Sequence, residues 1–517
     1  LRRASLVAFG TLASRVLGAL RDAFVAASFT VHATDAFYVA FTIPNALRGI
    51  LAEGAMSGAF VPLLSEARTQ QSLERAREVF RALFGVMLVL LGLVALLGVL
   101  ASPWLVTAYA AGYRADAAKF ELTLSLTRIV FPYVFLMGLA ALASAALHAE
   151  GHFAAPSFAP AMLNIAFLAL PTFCPQGVFG TPRDALLSWA ALLGGALHLL
   201  VLLPSLARAG FLLAPRFALK DPAIGRAFRL LVPLMFGVGV YQINLVLTRL
   251  LASFLPEGSQ SFLYYGQRVV EIPQGMLTLA IATAVLPTLS QLRAARDDAG
   301  AEQVFLFAMR MTFVLALPAA LLFTVLAEPL VTVLLARGAF AQSLVHETAL
   351  SLRWQALGIV AVAAVRVVVP LFHAYNDTRA PVHASVANLA TFARISLLLM
   401  APMKHAGIAI GNTLAATVQL AALFVLLRRR LPFVRWRPLL PTLLRCSLAS
   451  SGAAALAWGL ARLGHWEQGG NDVYNWCVAA FAFLAAATAY LLFLRLLGAP
   501  ELSEIRDAFR RRRKKSA

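Results

Sequence analysis

The chain has 517 residues, of which 60% are hydrophobic and 13% charged, and its mean hydropathy is +0.78. A soluble domain carries about 25% charged residues, so a single soluble enzyme of this length is excluded. The net charge of +20, from 44 basic and 24 acidic residues, reads here as the excess of Lys and Arg on cytoplasmic loops of a membrane protein, not as a nucleic-acid surface.

A membrane helix needs about 20 apolar residues. Apolar runs between breakers give fourteen candidate spans, near 6–29, 35–64, 80–102, 122–148, 157–173, 185–206, 228–254, 262–290, 304–326, 347–374, 382–402, 407–427, 440–462 and 473–497. The second span is the least apolar and holds Asp35, Pro44, Asn45, Arg48, Gly49, Glu53 and Gly54. With the N-terminus placed in the cytoplasm, about 25 basic residues fall on that side and 5 on the other. That bias predicts that both termini are cytoplasmic.

Two short matches recur at one offset. Pro62-Leu63-Leu64-Ser65-Glu66-Ala67-Arg68 and Pro287-Thr288-Leu289-Ser290-Gln291-Leu292-Arg293 both read P-x-L-S-x-x-R, 225 residues apart. His148-Ala149 followed by Ala155-Pro156 returns as His373-Ala374 followed by Ala380-Pro381 at the same offset. Six spans separate the copies, so the repeats run in the same orientation, as in transporters built from two parallel lobes. The expected architecture is therefore an all-α polytopic membrane protein with about fourteen transmembrane helices. Residues 1–210 form an N-terminal lobe, 211–430 a C-terminal lobe, 431–497 two extra helices, and 498–517 a basic cytoplasmic tail.

The sequence has no GK dipeptide, hence no ATP-binding P-loop, and no HExxH or GxSxG motif. Cys174, Cys446 and Cys477 are too scattered for a disulfide framework or zinc site. An enzyme is not expected. What stands out is charge inside apolar helices, where each ionised group costs about 2.5–3.5 kcal/mol on insertion scales. Span 1 carries Ser14, Arg15, Arg21 and Asp22, with Arg15 and Asp22 seven apart on one face. Span 2 carries Asp35, Arg48 and Glu53, span 8 carries Arg268 and Glu271, and span 10 carries Arg366. Arginines in a low-dielectric cavity make a phosphate receptor, since each guanidinium grips two oxygens. Asp22, Glu53 and Glu271 are expected to orient the arginines. Arg128, Arg249, Arg353 and Arg394 are ambiguous, since long basic side chains near an interface can also snorkel.

The stretches SRVLGALRDAF at 14–24, TDAFYVAFTIPNALRGILAEGAMSGAFVPLLSE at 34–66 and YYGQRVVEIPQGM at 264–276, with MKHAG at 403–407, resemble the MurJ (MviN) family. These are lipid II flippases of the multidrug/oligosaccharidyl-lipid/polysaccharide exporter superfamily. The resemblance implies a central cationic cavity and a groove on spans 13 and 14 for a polyprenyl tail. The substrate would be lipid II, an undecaprenyl-pyrophosphate disaccharide-pentapeptide used in cell-wall peptidoglycan, flipped across the bacterial inner membrane by alternating access. The family's essential arginines fall on Arg15, Arg21, Arg48 and Arg268, its acidic residues on Asp22, Asp35, Glu53 and Glu271, and a further basic residue on Arg366. Thr42 is a departure, since some members have Lys there. Some members also bind sodium, for which Asn244, Asn376, Asp377 and Asn388 are the polar candidates here. The expectation is no organic cofactor, with drive from sodium or the membrane potential. Its partners would be lipid II and membrane lipids, with no nucleic acid, and the protein would be a monomer. The alternative is an exporter of another polyprenyl-linked glycan or of drugs.

Overall fold

The computed structural model describes residues 2–51, 56–212, 214–466, 471–501 and 504. These residues are helical and contain no strand. In chain order the helices are α1 (Arg2–Ser28), α2 (Val31–Leu51), α3 (Ser57–Glu66), α4 (Leu73–Leu100), α5 (Ser102–Tyr109), α6 (Ala117–Val130), α7 (Tyr133–Ala149), α8 (Ala154–Phe173) and α9 (Leu186–Arg208). They continue with α10 (Pro222–Ala252), α11 (Ser259–Ala294), α12 (Asp298–Val325), α13 (Ala327–Leu335), α14 (Gln342–Leu357), α15 (Ile359–Ala374), α16 (Arg379–Arg430), α17 (Leu439–Ala461) and α18 (Val473–Leu496).

Among the described residues, nine helical stretches are long and apolar enough to cross a membrane. One of them, α16, is 52 residues long and is broken at Lys404, whose φ of 49° cannot continue a right-handed helix. The other expected spans fall on α1, on α2 with α3, on α10 and on α11, the helices that carry most of the internal charges.

The repeat is written into the helix boundaries. α4 and α12 are each 28 residues long, and both ends differ by 225. The broken stretch Ala117–Ala149 (α6 and α7) and its counterpart Gln342–Ala374 (α14 and α15) are each 33 residues long at the same offset. The first break falls at Phe131-Pro132, where proline removes a ladder donor, and the second at Gly358. α8 and α16 also begin 225 residues apart.

By compactness the chain divides at a different place from the repeat, into Leu1–Gln260 and Ser261–Ala517. The lobes expected from the sequence divide at 210. α10, the counterpart of α1, packs on α2 and α3 within the first unit. That unit has a core of Phe60, Leu64, Phe80, Leu83, Leu142 and Phe211, with the Phe80 and Phe211 rings edge-on at 5.4 Å. Gly98 of α4 lies where a Cβ would enter the Phe131 ring, so only glycine lets the two segments approach. In the second unit, Phe305, Met309, Leu371, Phe372 and Leu427 tie α12, α15 and α16 together. A seam of Ala449, Ala453, Ala457, Ala482 and Ala486 joins α17 to α18. Small residues there permit close backbone contact, the main source of helix association in lipid.

Candidate functional site

In α1 the two consecutive charges form one ion pair. Arg21 donates from Nε and Nη2 to Asp22 Oδ1 at 3.0 and 2.6 Å, and both residues are buried. The Arg21 guanidinium also lies 5.5 Å from the centre of the Phe167 ring on α8. The side chains are long enough to span the 100° between neighbours, so Asp22 turns to Arg21 although its helical face is shared with Arg15. Arg15 is exposed. The Ser14 carbonyl accepts from Asn164 Nδ2 at 3.0 Å, which packs α8 onto α1 beside Gly18.

In α2, Pro44 sits inside the helix, and Arg48 Nε donates to Asn45 Oδ1 at 2.9 Å. The next residue, Gly49, faces α10 so closely that a Cβ would stand 2.7 Å from Gln242 Nε2. Glu53 lies outside the described residues.

Asp35 is held more tightly than its sequence position suggests. It accepts from Lys119 Nζ at 3.0 Å and from the Gly258 amide at 2.7 Å. Its side chain is 2% exposed and that of Lys119 8%. Lys119 Nζ also lies 4.8 Å from the centre of the Tyr113 ring. Lys119 is one of the five basic residues that the charge bias leaves on the non-cytoplasmic side, and its one signal in the sequence is a lysine on the first turn of an apolar helix. Arg249, ambiguous in the sequence, lies inside the protein. It is buried, donating to Thr42 Oγ1 at 3.2 Å and to Gln260 Oε1 at 3.1 Å. A guanidinium thus reaches Thr42, the position noted above as a departure from the resembled pattern.

In the second unit, Arg268 Nη1 donates to Glu271 Oε2 at 2.6 Å, and its guanidinium lies 4.9 Å from the centre of the Tyr264 ring. Both partners are about two-fifths exposed, at 39% and 44%. Arg366 is exposed on α15. Each of Arg21, Arg48 and Arg268 is therefore oriented by a neighbour on its own helix. Such bracing lowers the entropic cost of gripping an oxyanion.

Three of the four sodium candidates, Asn376, Asp377 and Asn388, lie in the second unit. Asn376 takes a left-handed turn with φ of 58°. Asp377 accepts from Arg430 Nη1 at 2.8 Å and caps α16 through the amides of Arg379 and Ala380. Burial opposes its ionisation, but the Ala380 amide and Arg430 outweigh that and hold its carboxyl below the ordinary aspartate value. Asn388 donates to Gln419. Among the described residues, no three His, Cys, Asp or Glu side chains gather as a metal site would.

A protein-family model described as "Lipid II flippase MurJ" matches residues 25–469. The chain is 34% identical over 513 residues to a probable lipid II flippase MurJ of Bdellovibrio bacteriovorus, covering 98% of this chain and 96% of that one. It is 35% identical over 473 residues to lipid II flippase MurJ of Burkholderia cenocepacia, covering 90% and 89%. A solved structure described as lipid II flippase MurJ in an inward closed conformation has the same fold, with a TM-score of 0.78 at 20% identity over 95% of this chain and 99% of that one. An inward-facing multidrug-resistance transporter of the MATE family matches with a TM-score of 0.67 at 15% identity, over 81% and 95%. These four are named as flippases or transporters, and with a family match across most of its length and relatives above 30% identity, this multi-pass membrane chain belongs to the MurJ family.

Proposed function

We propose that the protein flips lipid II from the cytoplasmic to the outer leaflet of the bacterial inner membrane, with both termini in the cytoplasm. Membership of a family whose relatives carry that name across nearly the whole chain is the observation that supports this reading most. The reading assigns the pyrophosphate to Arg15, Arg21, Arg48 and Arg268, with Asp22, Asn45 and Glu271 as braces and Ser14, Asp35, Glu53 and Arg366 in support. Arg21, Arg48 and Arg268 present oriented N–H forks, and a pyrophosphate offers the oxygens that match them.

The cycle follows from differential affinity. A cavity lined by guanidiniums is self-repelling when empty and neutralised when a pyrophosphate enters, so substrate favours a more closed state than the empty protein prefers. The two repeats then rock as units about the bound headgroup, while the polyprenyl tail stays in lipid along α17 and α18. No ATP-binding motif is present. Drive would come from the membrane potential, since each charge crossing 100 mV is worth about 2.3 kcal/mol.

Binding in detergent tests the substrate. Labelled lipid II should bind at least tenfold more tightly than an undecaprenyl-linked glycan of different sugar composition. Equal binding would move the assignment to a broader exporter of polyprenyl-linked glycans.

A further inference from the structure

Next to Arg48 the structure holds an acceptor without a donor. Gln242 of α10 is not exposed, and its Oε1 is shut off from water with no hydrogen-bond partner among the described residues. A buried amide oxygen left unpaired costs about 1–3 kcal/mol, so its retention needs an explanation. The neighbouring backbone has also been shaped to admit this side chain. At Gly49 a Cβ would stand 2.7 Å from Gln242 Nε2, a distance that real Cβ contacts do not reach. Any other residue at 49 would push the carboxamide away. On the same turn of α2, Arg48 is braced through Nε by Asn45 Oδ1 at 2.9 Å.

We infer that Gln242 is a ligand-contact residue that reads the sugar bonded directly to the pyrophosphate, its Oε1 accepting an N–H or O–H from that sugar. The inference rests on the lipid II reading above and adds a specificity determinant to it. The chemistry divides cleanly between the two side chains. A guanidinium only donates, which suits phosphate oxygens, whereas an unpaired amide oxygen only accepts at that atom, which suits a sugar hydroxyl or acetamido N–H. A site that hydrogen-bonds such a group rejects an analogue lacking it, because the protein's own polar atom is then stranded. Gln242 would therefore separate a glycosylated pyrophosphate lipid from the bare pyrophosphate lipid, which Arg48 alone cannot do.

The test compares two lipids on the purified full-length protein in detergent: lipid II, and undecaprenyl pyrophosphate, which has no sugar. In Gln242→Leu the dissociation constant for lipid II should rise about tenfold, the worth of one hydrogen bond, while that for undecaprenyl pyrophosphate stays within twofold. Gly49→Ala should do the same, because its methyl displaces the carboxamide. Gln242→Asn, which retracts the amide by one methylene and keeps its polarity, is the third variant should either of the others fold poorly. Arg48→Ala should weaken both lipids. Unchanged lipid II binding in the Gln242 variants, or equal weakening of both lipids, would overturn the inference and leave the flippase reading standing. A wild-type protein that binds neither lipid would overturn the flippase reading first.

Discussion

At the scale of single residues, the arginines differ in how they are held. Arg21 is buried and locked to Asp22, so its fork geometry matters as well as its charge. Arg21→Lys keeps the charge and loses the bidentate fork. We expect it to insert normally, to bind lipid II about tenfold more weakly, and to fail in growth complementation; normal growth would show that a point charge suffices. The Asp35–Lys119 pair makes a different prediction. Removing one partner of a buried ion pair leaves an uncompensated charge and costs about 3–5 kcal/mol. Lys119→Met should therefore lower the melting temperature in detergent sharply, and Asp35→Asn added to it should recover part of the loss. A double variant no better than the single one would mean that the pair is not coupled. This pair was not legible in the sequence. Its members lie 84 residues apart, and a lysine at the start of an apolar helix looks the same whether it snorkels or turns inward. The Arg268–Glu271 contact was closer to the surface of the sequence, because residues three apart share a helix face. Arg21–Asp22 was not, because neighbours stand about 100° apart and the shared face pointed Asp22 to Arg15.

At the scale of elements, breaks and close approaches set the helices. Gly98→Val should place side-chain atoms within the Phe131 ring and destabilise the protein by roughly 1–3 kcal/mol, read as a lower melting temperature that Phe131→Ala partly restores. A Gly98→Val variant as stable as the wild type would show that α4 has room to shift. Helix caps outside the apolar spans give a pH dependence. Burial opposes ionisation of Asp221, but the Ala223 amide and Arg75 outweigh it and hold the carboxyl below its ordinary value; Asp377 behaves alike. A depressed folded-state value means that the stabilisation is fully present above the unfolded aspartate value of about 3.9. It is lost as pH falls through the lower folded value. Thermal unfolding of Asp221→Asn with Asp377→Asn should be less steep in pH below about 4 than the wild type, and parallel curves would remove the caps from the acid response. Helix ends were legible near the repeated motifs, whereas the break at Phe131-Pro132 lies inside a span read as continuous over 122–148. The break at Lys404 falls in the interval left between spans 382–402 and 407–427, where α16 is interrupted by a left-handed residue.

At the scale of the whole molecule, the offset of 225 is the strongest feature shared by sequence and structure. Two short motifs announced it, and the boundaries of α4 and α12 reproduce it at both ends. Compactness, by contrast, places α10 with the first unit, and no periodicity in the sequence could have revealed a packing preference between distant helices. The charge bias predicts orientation: in a background without native cysteines, Ser72→Cys should resist a membrane-impermeant thiol reagent in intact cells, and Asn471→Cys should react. The reverse pattern would invert the topology. The central claim, that this protein moves lipid II across the membrane, is tested most directly by asking on which side lipid II lies. In cells depleted of their own flippase, an externally added lipid II hydrolase should cleave most of the lipid II pool when this protein is produced, and little of it when the Arg21→Ala variant is produced at equal level. A pool that stays protected with the wild-type protein present, or is cleaved equally with Arg21→Ala, would contradict the account.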